Sequence, residues 1–117
     1  MPDQVNVLPW DARTLSGWEK EIEGTDAVVH LAGESIAGNG MFGIFPQRWT
    51  SHRRDLILRS RVETGQALAK AIESAKNKPK VFIQASAIGY YGPSDAQTIT
   101  ESQSQGTDFL ARVCQLW

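Results

Sequence analysis

Two apolar runs in this chain end in small residues. Val28-Val29-His30-Leu31-Ala32-Gly33-Glu34 passes from branched side chains into Ala and Gly. Val81-Phe82-Ile83-Gln84-Ala85-Ser86 passes into Ala87-Ile88-Gly89-Tyr90-Tyr91-Gly92. Such runs predict buried parallel strands whose carboxyl ends open on a ligand crevice. Between them Leu56, Ile57, Val62, Leu68, Ala69 and Ile72 recur at helical spacing. They predict one long helix from Thr50 or Ser51 to about Ala75, stopped by Lys76-Asn77-Lys78-Pro79. A last helix, capped by Thr107 or Asp108, carries Phe109, Leu110, Val113, Leu116 and Trp117 on its apolar side. Nearer the amino terminus, Gln4 to Leu8 alternates and predicts a strand closed by Pro9. Leu15, Trp18 and Ile22 share one face of a short predicted helix that Thr14 or Ser16 would cap. The alternation of strands and helices implies an α/β fold with right-handed crossovers.

The stretch from Gly33 to Gln47 contains Gly33, Gly38, Gly40, Gly43 and Pro46 and reads as a long loop. Loops of this length usually carry function or lack fixed structure. Met41, Phe42, Ile44 and Phe45 are apolar for such a loop and are expected to pack on the domain, with a lid or partner contact as the alternative.

Composition narrows the class. The 117 residues suit one small domain, and 41% hydrophobic content is that of a globular chain. A net charge of -1 gives no bulk field toward nucleic acid or an anionic membrane. No apolar run approaches the ~20 residues of a membrane span. The lone Cys114 excludes an intrachain disulfide, and Met1-Pro2-Asp3-Gln4 lacks the basic and apolar regions of a signal peptide. A cytoplasmic location is expected, and no metal site. Arg48, Arg53, Arg54 and Arg59 with His52 read as a solvated helical face with acidic neighbours rather than as a basic patch. Trp49 is expected to anchor the start of the long helix. His30, inside a strand, is expected to be a structural hydrogen-bonding residue, and Cys114 a buried helix thiol.

Six motifs occur in one order: His30 to Glu34, Arg48-Trp49-Thr50, Ser60-Arg61-Val62, Ser86 to Gly92, Thr100-Glu101 and Phe109-Leu110. In that order they resemble the extended short-chain dehydrogenase/reductase superfamily, and within it the atypical epimerase-like subgroup of the NAD-dependent epimerase/dehydratase proteins. The resemblance covers nearly the whole chain. It implies a partial Rossmann-like domain over residues 1–117: a doubly wound parallel sheet in three α/β/α layers. The superfamily's opening strand, Gly-x-x-Gly-x-x-Gly turn and helix do not precede these motifs. The turn is where backbone amides meet the cofactor pyrophosphate. The chain is thus expected to be the middle of such a protein, without the first βαβ unit and without the carboxyl-terminal substrate region.

The resemblance also implies roles for particular residues. Leu31, Ala32, Gly33 and Ala85 would line NAD or NADP in the intact fold, since small residues permit close approach. Ser86 matches the active-site Ser or Thr, although Ala87 can occupy that place if the alignment shifts by one. Tyr90 and Tyr91 would face substrate, or one would pack under the sheet. Arg61 would bind an anionic substrate group or a cofactor phosphate. The superfamily's Tyr-x-x-x-Lys pair should fall near Leu110 and Cys114, where neither side chain can trade a proton or supply a fixed positive charge. The expected activity is NAD(P)-dependent epimerisation or reduction of a nucleotide-sugar-like substrate, with no independent catalysis by this chain. The alternative is a non-catalytic regulatory or interaction protein related to cell division. An exposed strand edge further predicts self-association.

Overall fold

The computed structural model describes residues 5–37, 49–95 and 98–117. Two four-residue strands, β1 (Ala27–His30) and β2 (Val81–Gln84), pair in parallel with Ala27 opposite Val81 and His30 opposite Gln84. The crossover between them contains the 24-residue helix α1 (Ser51–Ser74), and a shorter helix, α2 (Phe109–Leu116), follows β2. Single 3-10 turns occupy Trp18–Ile22 and Ile88–Tyr91. This is the α/β order that the apolar pattern predicts.

Local chemistry sets the helix ends. Thr50 stays extended and its hydroxyl accepts the Arg53 amide at 3.2 Å, while Asp108 accepts the Ala111 amide at 2.8 Å. Each side chain satisfies an amide that the first helical turn leaves without a partner. Beyond α1, the Glu23 carboxylate accepts the backbone amides of Asn77 at 2.7 Å and Lys76 at 3.0 Å. Those bonds, Asn77 foremost, hold Glu23 below its ordinary pKa. They tie the turn before β1 to the turn before β2.

The core lies between α1, the first 3-10 turn and one face of the sheet. Ile22, Leu68 and Ala71 form its centre, with Trp10, Trp18, Val28, Ile72 and Ala75 packed around them. Trp10 and Trp18 sit 4.4 Å apart, and both indole N–H groups donate to the Thr14 carbonyl. Side chains alternate across a strand, so Val28 and His30 turn toward this core. Val29, Val81 and Ile83 lie on the opposite face and remain about half exposed, at 55%, 48% and 52%. Among the described residues no third strand pairs with either edge.

Three expectations fail here. The strands are not buried, since Val81, Phe82 and Ile83 of β2 and Val29 of β1 are all exposed, one face of the sheet having nothing packed on it among the described residues. Val5 to Leu8 is not a strand, and Val7 is 86% exposed; Gln4 lies outside the described residues. Alternation prepares a strand, but only a neighbouring strand supplies hydrogen bonds, and none among the described residues lies beside this segment. The predicted helix over Leu15 to Ile22 shrinks to the 3-10 turn at Trp18, with Gly17 before it in a left-handed conformation (φ 103°) and no side-chain cap. Thr14 is diverted: its amide and hydroxyl both donate to the Asp11 carboxylate, at 2.8 and 2.6 Å.

Candidate functional site

The carboxyl ends of β1 and β2 leave the sheet side by side. The Ala85 amide donates to the His30 carbonyl at 2.9 Å, extending the ladder by one bond past the strands. The two tails therefore start side by side, but Gly33 lies against Arg61, and Leu31, Ala32, Gly33 and Ala85 line neither of the two hollows beyond the strand ends. Leu31, Ala32 and Gly33 are exposed and Ala85 is half-buried.

The motif residues meet one another across the fold. Glu34 is clamped to α1 by three of its side chains. Its amide donates to Ser60 Oγ at 3.0 Å, its carbonyl accepts Arg61 Nη1 at 3.1 Å, and its carboxylate pairs with Arg53 Nη1 at 2.9 Å. Arg53 is well covered, its side chain only 11% exposed. Its neighbours on the helix divide their charge differently. Arg59 bonds Glu63 and Asp55, and Arg54 lies over the Phe109 ring. These arginines are paired or stacked and do not form one basic patch; Arg48 is outside the described residues. Trp49 is half-buried, with its ring edge-on to Phe109 at 5.7 Å and its indole N–H donating to the Ile36 carbonyl.

Arg61 is the most constrained of the predicted site residues. Nη1 donates to both the Glu34 and Ile57 carbonyls at 3.1 Å. The guanidinium lies over the Trp117 indole, 5.1 Å from its centroid. It also rests against Gly33, where an added Cβ would sit 3.1 Å from Cζ. Gly33 thus has a role the sequence did not reveal: it leaves room for a guanidinium. Burial lowers the Arg61 pKa, and the nearby Cys114 and Glu34 offset only part of that. Arg61 makes no ion pair with a carboxylate among the described residues.

Two hollows open beyond the strand ends. The larger, about 430 Å³, lies between α1, α2 and the segment after β2. Ile36, Ile57, Ile88, Leu110, Val113 and Trp117 give it apolar walls, and Arg61 provides its cation. The second, about 370 Å³, is lined by Ser86, Ala87, Ile88, Tyr90 and Tyr91. The three predicted catalytic residues therefore share one hollow, and Arg61 belongs to the other. Ala87 and Ile88 form the wall between them. Tyr90 and Tyr91 are half-buried with their rings edge to face at 5.1 Å, and Ser86 is exposed. The tight turn after them is held by Gly106, whose amide donates to the Tyr90 carbonyl at 2.9 Å. A Cβ at Gly106 would fall 2.6 Å from the Tyr91 carbonyl oxygen, so only glycine fits there.

Leu110 and Cys114 line the larger hollow, at the two positions near which the resemblance places a Tyr and a Lys. Cys114 is half-buried rather than buried, and its thiol points to the Ala87 carbonyl at 3.8 Å. His30 is 2% exposed, and its Nδ1 faces Gln84 Oε1 at 3.3 Å. Gln84 uses its amide N–H on the Trp117 carbonyl, which leaves its oxygen for His30. Neutral His30 therefore carries its proton on Nδ1. Sequence reading did not foresee the contacts of Gln84 and Trp117. The one available signal was the i, i+4 spacing of Ile57 and Arg61, which places both on one helical face. The apolar loop residues Met41, Phe42, Ile44 and Phe45 lie outside the described residues.

A parallel sheet with small-residue tails at adjacent strand ends and helical crossovers defines a Rossmann-like α/β protein. No protein-family model matches the chain. An epimerase family protein of Staphylococcus saprophyticus is 38% identical over 115 residues, covering 97% of this chain and 35% of the relative. Human epimerase family protein SDR39U1, solved with NADPH, superposes with a TM-score of 0.68 at 35% identity, over 79% of this chain and 30% of that one. A nucleoside-diphosphate sugar epimerase from Corynebacterium glutamicum gives a TM-score of 0.67 at 28% identity, over 92% and 20% of the two chains. The chain belongs to this epimerase family, and it spans about a third of the length of the curated relatives it matches.

Proposed function

We propose that this chain forms the central part of an NAD(P)-binding Rossmann domain whose full-length form carries out epimerase- or reductase-type chemistry on a small molecule. The adjacency of the two strand tails carries this reading, because ligands of open α/β sheets bind outside the carboxyl ends of the strands. Leu31, Ala32, Gly33 and Ala85 flank the cofactor. Ser86 offers a hydroxyl to a substrate oxygen, with Tyr90 and Tyr91 beside it. The bound nicotinamide supplies hydride transfer. The exposed, small-residue surface of the tails fits a cofactor passing close to the backbone. The chain spans about a third of its relatives' length, and on this reading residues 1–117 need the rest of the domain for activity. The setting is cytoplasmic, and the open sheet edges favour self-association.

A second reading has its own support. Leu110 and Cys114 face the larger hollow without the acid or the fixed charge that a Tyr-Lys relay needs. This favours a domain that binds ligand or partner without turnover.

The test is a chimera in which residues 1–117 replace the matching segment of the human NADPH-binding relative. Retention of NADPH binding by calorimetry, with the unmodified relative as control, supports the cofactor reading. A chimera that melts cooperatively yet shows no binding heat refutes it. Turnover with a panel of nucleotide sugars then separates enzyme from binding module. Should the chimera not fold, titration of NADPH into an equimolar mixture of this chain and the relative's remaining segments asks the same question.

A further inference from the structure

Arg61 is held by groups that do not neutralise it. Two carbonyls fix Nη1, the Trp117 indole lies against the guanidinium, and Gly33 allows its close approach. Each contact positions the guanidinium, and none supplies a full negative charge. The group is half out of water, and burying a cation without a counter-charge is unfavourable. Arginine keeps its charge at physiological pH. The hollow that receives it is walled mostly by aliphatic and aromatic side chains, and Asp108, the one carboxylate among the described residues that line it, is already engaged in capping α2. Its volume, about 430 Å³, falls in the range of small-molecule sites, which are mostly apolar with a few placed polar groups.

We infer that the larger hollow binds a small amphipathic anion, its carboxylate or phosphate on Arg61 and its apolar body against Ile57, Ile88, Leu110 and Trp117. This rests on reading the domain as a ligand-binding α/β unit, and it adds to the Ser86 hollow a second site across the Ala87–Ile88 wall, one that takes an apolar-bodied anion. The planar, two-pronged donor set of arginine suits a carboxylate or phosphate. Arg61 is the recognition residue, and Gly33 and Trp117 position it.

The probes are 4-phenylbutanoate, its neutral amide and phenyl phosphate, titrated into the full chain and followed by the Arg61 Nε–H and Trp117 indole N–H resonances. The carboxylate is expected to shift both signals, and the amide to bind on the order of tenfold to a hundredfold more weakly, since a charge-assisted bond is lost. Arg61→Gln should bring the carboxylate down to the affinity of the amide. Equal binding of acid and amide, or shifts confined to other residues, overturns the assignment. The comparison of acid with amide needs no variant, so it stands even if Arg61→Gln unfolds. Phenyl phosphate binding more tightly than the carboxylate identifies the anion as phosphate, and the reverse order as carboxylate. In the NADPH-binding chimera, simultaneous binding of cofactor and probe supports an anion site separate from the cofactor's. Competition shows instead that Arg61 meets the cofactor, and overturns the separate site. Loss of NADPH binding with probe binding intact removes the cofactor reading and leaves this one standing.

Discussion

Thr64→Val isolates one hydrogen bond that joins the amino-terminal segment to α1. Thr64 is fully buried, and its hydroxyl lies 2.8 Å from the Ala12 carbonyl and 2.6 Å from the Ser60 carbonyl. The hydroxyl has one proton, and Ser60 already stands in the helical ladder of α1, so the bond that links the two segments is the one to Ala12. Valine keeps the shape and removes the donor. Ala12 is half-buried, so its carbonyl can partly recover water. The expected loss is about 1 kcal/mol, rising toward about 3 if that oxygen stays dry. For a domain near this size each kcal/mol lowers Tm by about 4 to 8 °C. Ala12 sits at φ 61°, unusual for a residue with a Cβ, so release of its carbonyl should also loosen the Asp11–Thr14 turn. Circular-dichroism melting reads the global loss, and amide exchange at Arg13 and Thr14 reads the local one. A Val variant melting within about 1 °C of the parent, with unchanged exchange, would refute the reasoning.

Other substitutions probe other parts of the structure. Ile57 is completely buried beside the larger hollow, so Ile57→Ala should cost about 2–5 kcal/mol and Ile57→Val about 0.5–1.5, read by denaturant unfolding. Gly33→Ala should leave the Tm nearly unchanged but displace the Arg61 guanidinium by a few tenths of an ångström, moving the Trp117 indole resonance. Asp11, whose carboxylate accepts the Thr14 hydroxyl and the Thr14 and Arg13 amides, has its pKa lowered from 3.8 to about 2. A depressed carboxylate stabilises the fold above its unfolded pKa and loses that contribution as pH falls through the folded one. The Asp11 turn should therefore persist to pH 3 and open near pH 2, and a carboxyl-carbon NMR titration with a midpoint near 4 would contradict this.

Most of what positions the site was visible in local pattern. Thr50 and Asp108 announce helix starts by side-chain chemistry within three residues of the amides they cap. The tracts ending at Ala32 and Ser86 announce parallel strands by being mostly apolar, with His30 and Gln84 as the exceptions, and then abruptly small. What was hidden depends on residues far apart in sequence. Val5 to Leu8 has a strand's alternation and no partner. Gly33 reads as a place for a ligand to approach, whereas the group against it is Arg61, twenty-eight residues on. Gln84 looks like one more strand residue until Trp117 and His30 engage its two ends.

The four tryptophans also make the molecule its own optical instrument. Trp10 and Trp18, 4.4 Å apart, are close enough for their excited states to couple, while Trp49 and Trp117 are set against a phenyl edge and a guanidinium. Selective excitation of indole emission, with three of the four replaced by phenylalanine in turn, would separate loosening of the amino-terminal segment from loosening of the ligand-facing wall. A single fluorimeter trace can thus tell which end of the fold gives way first.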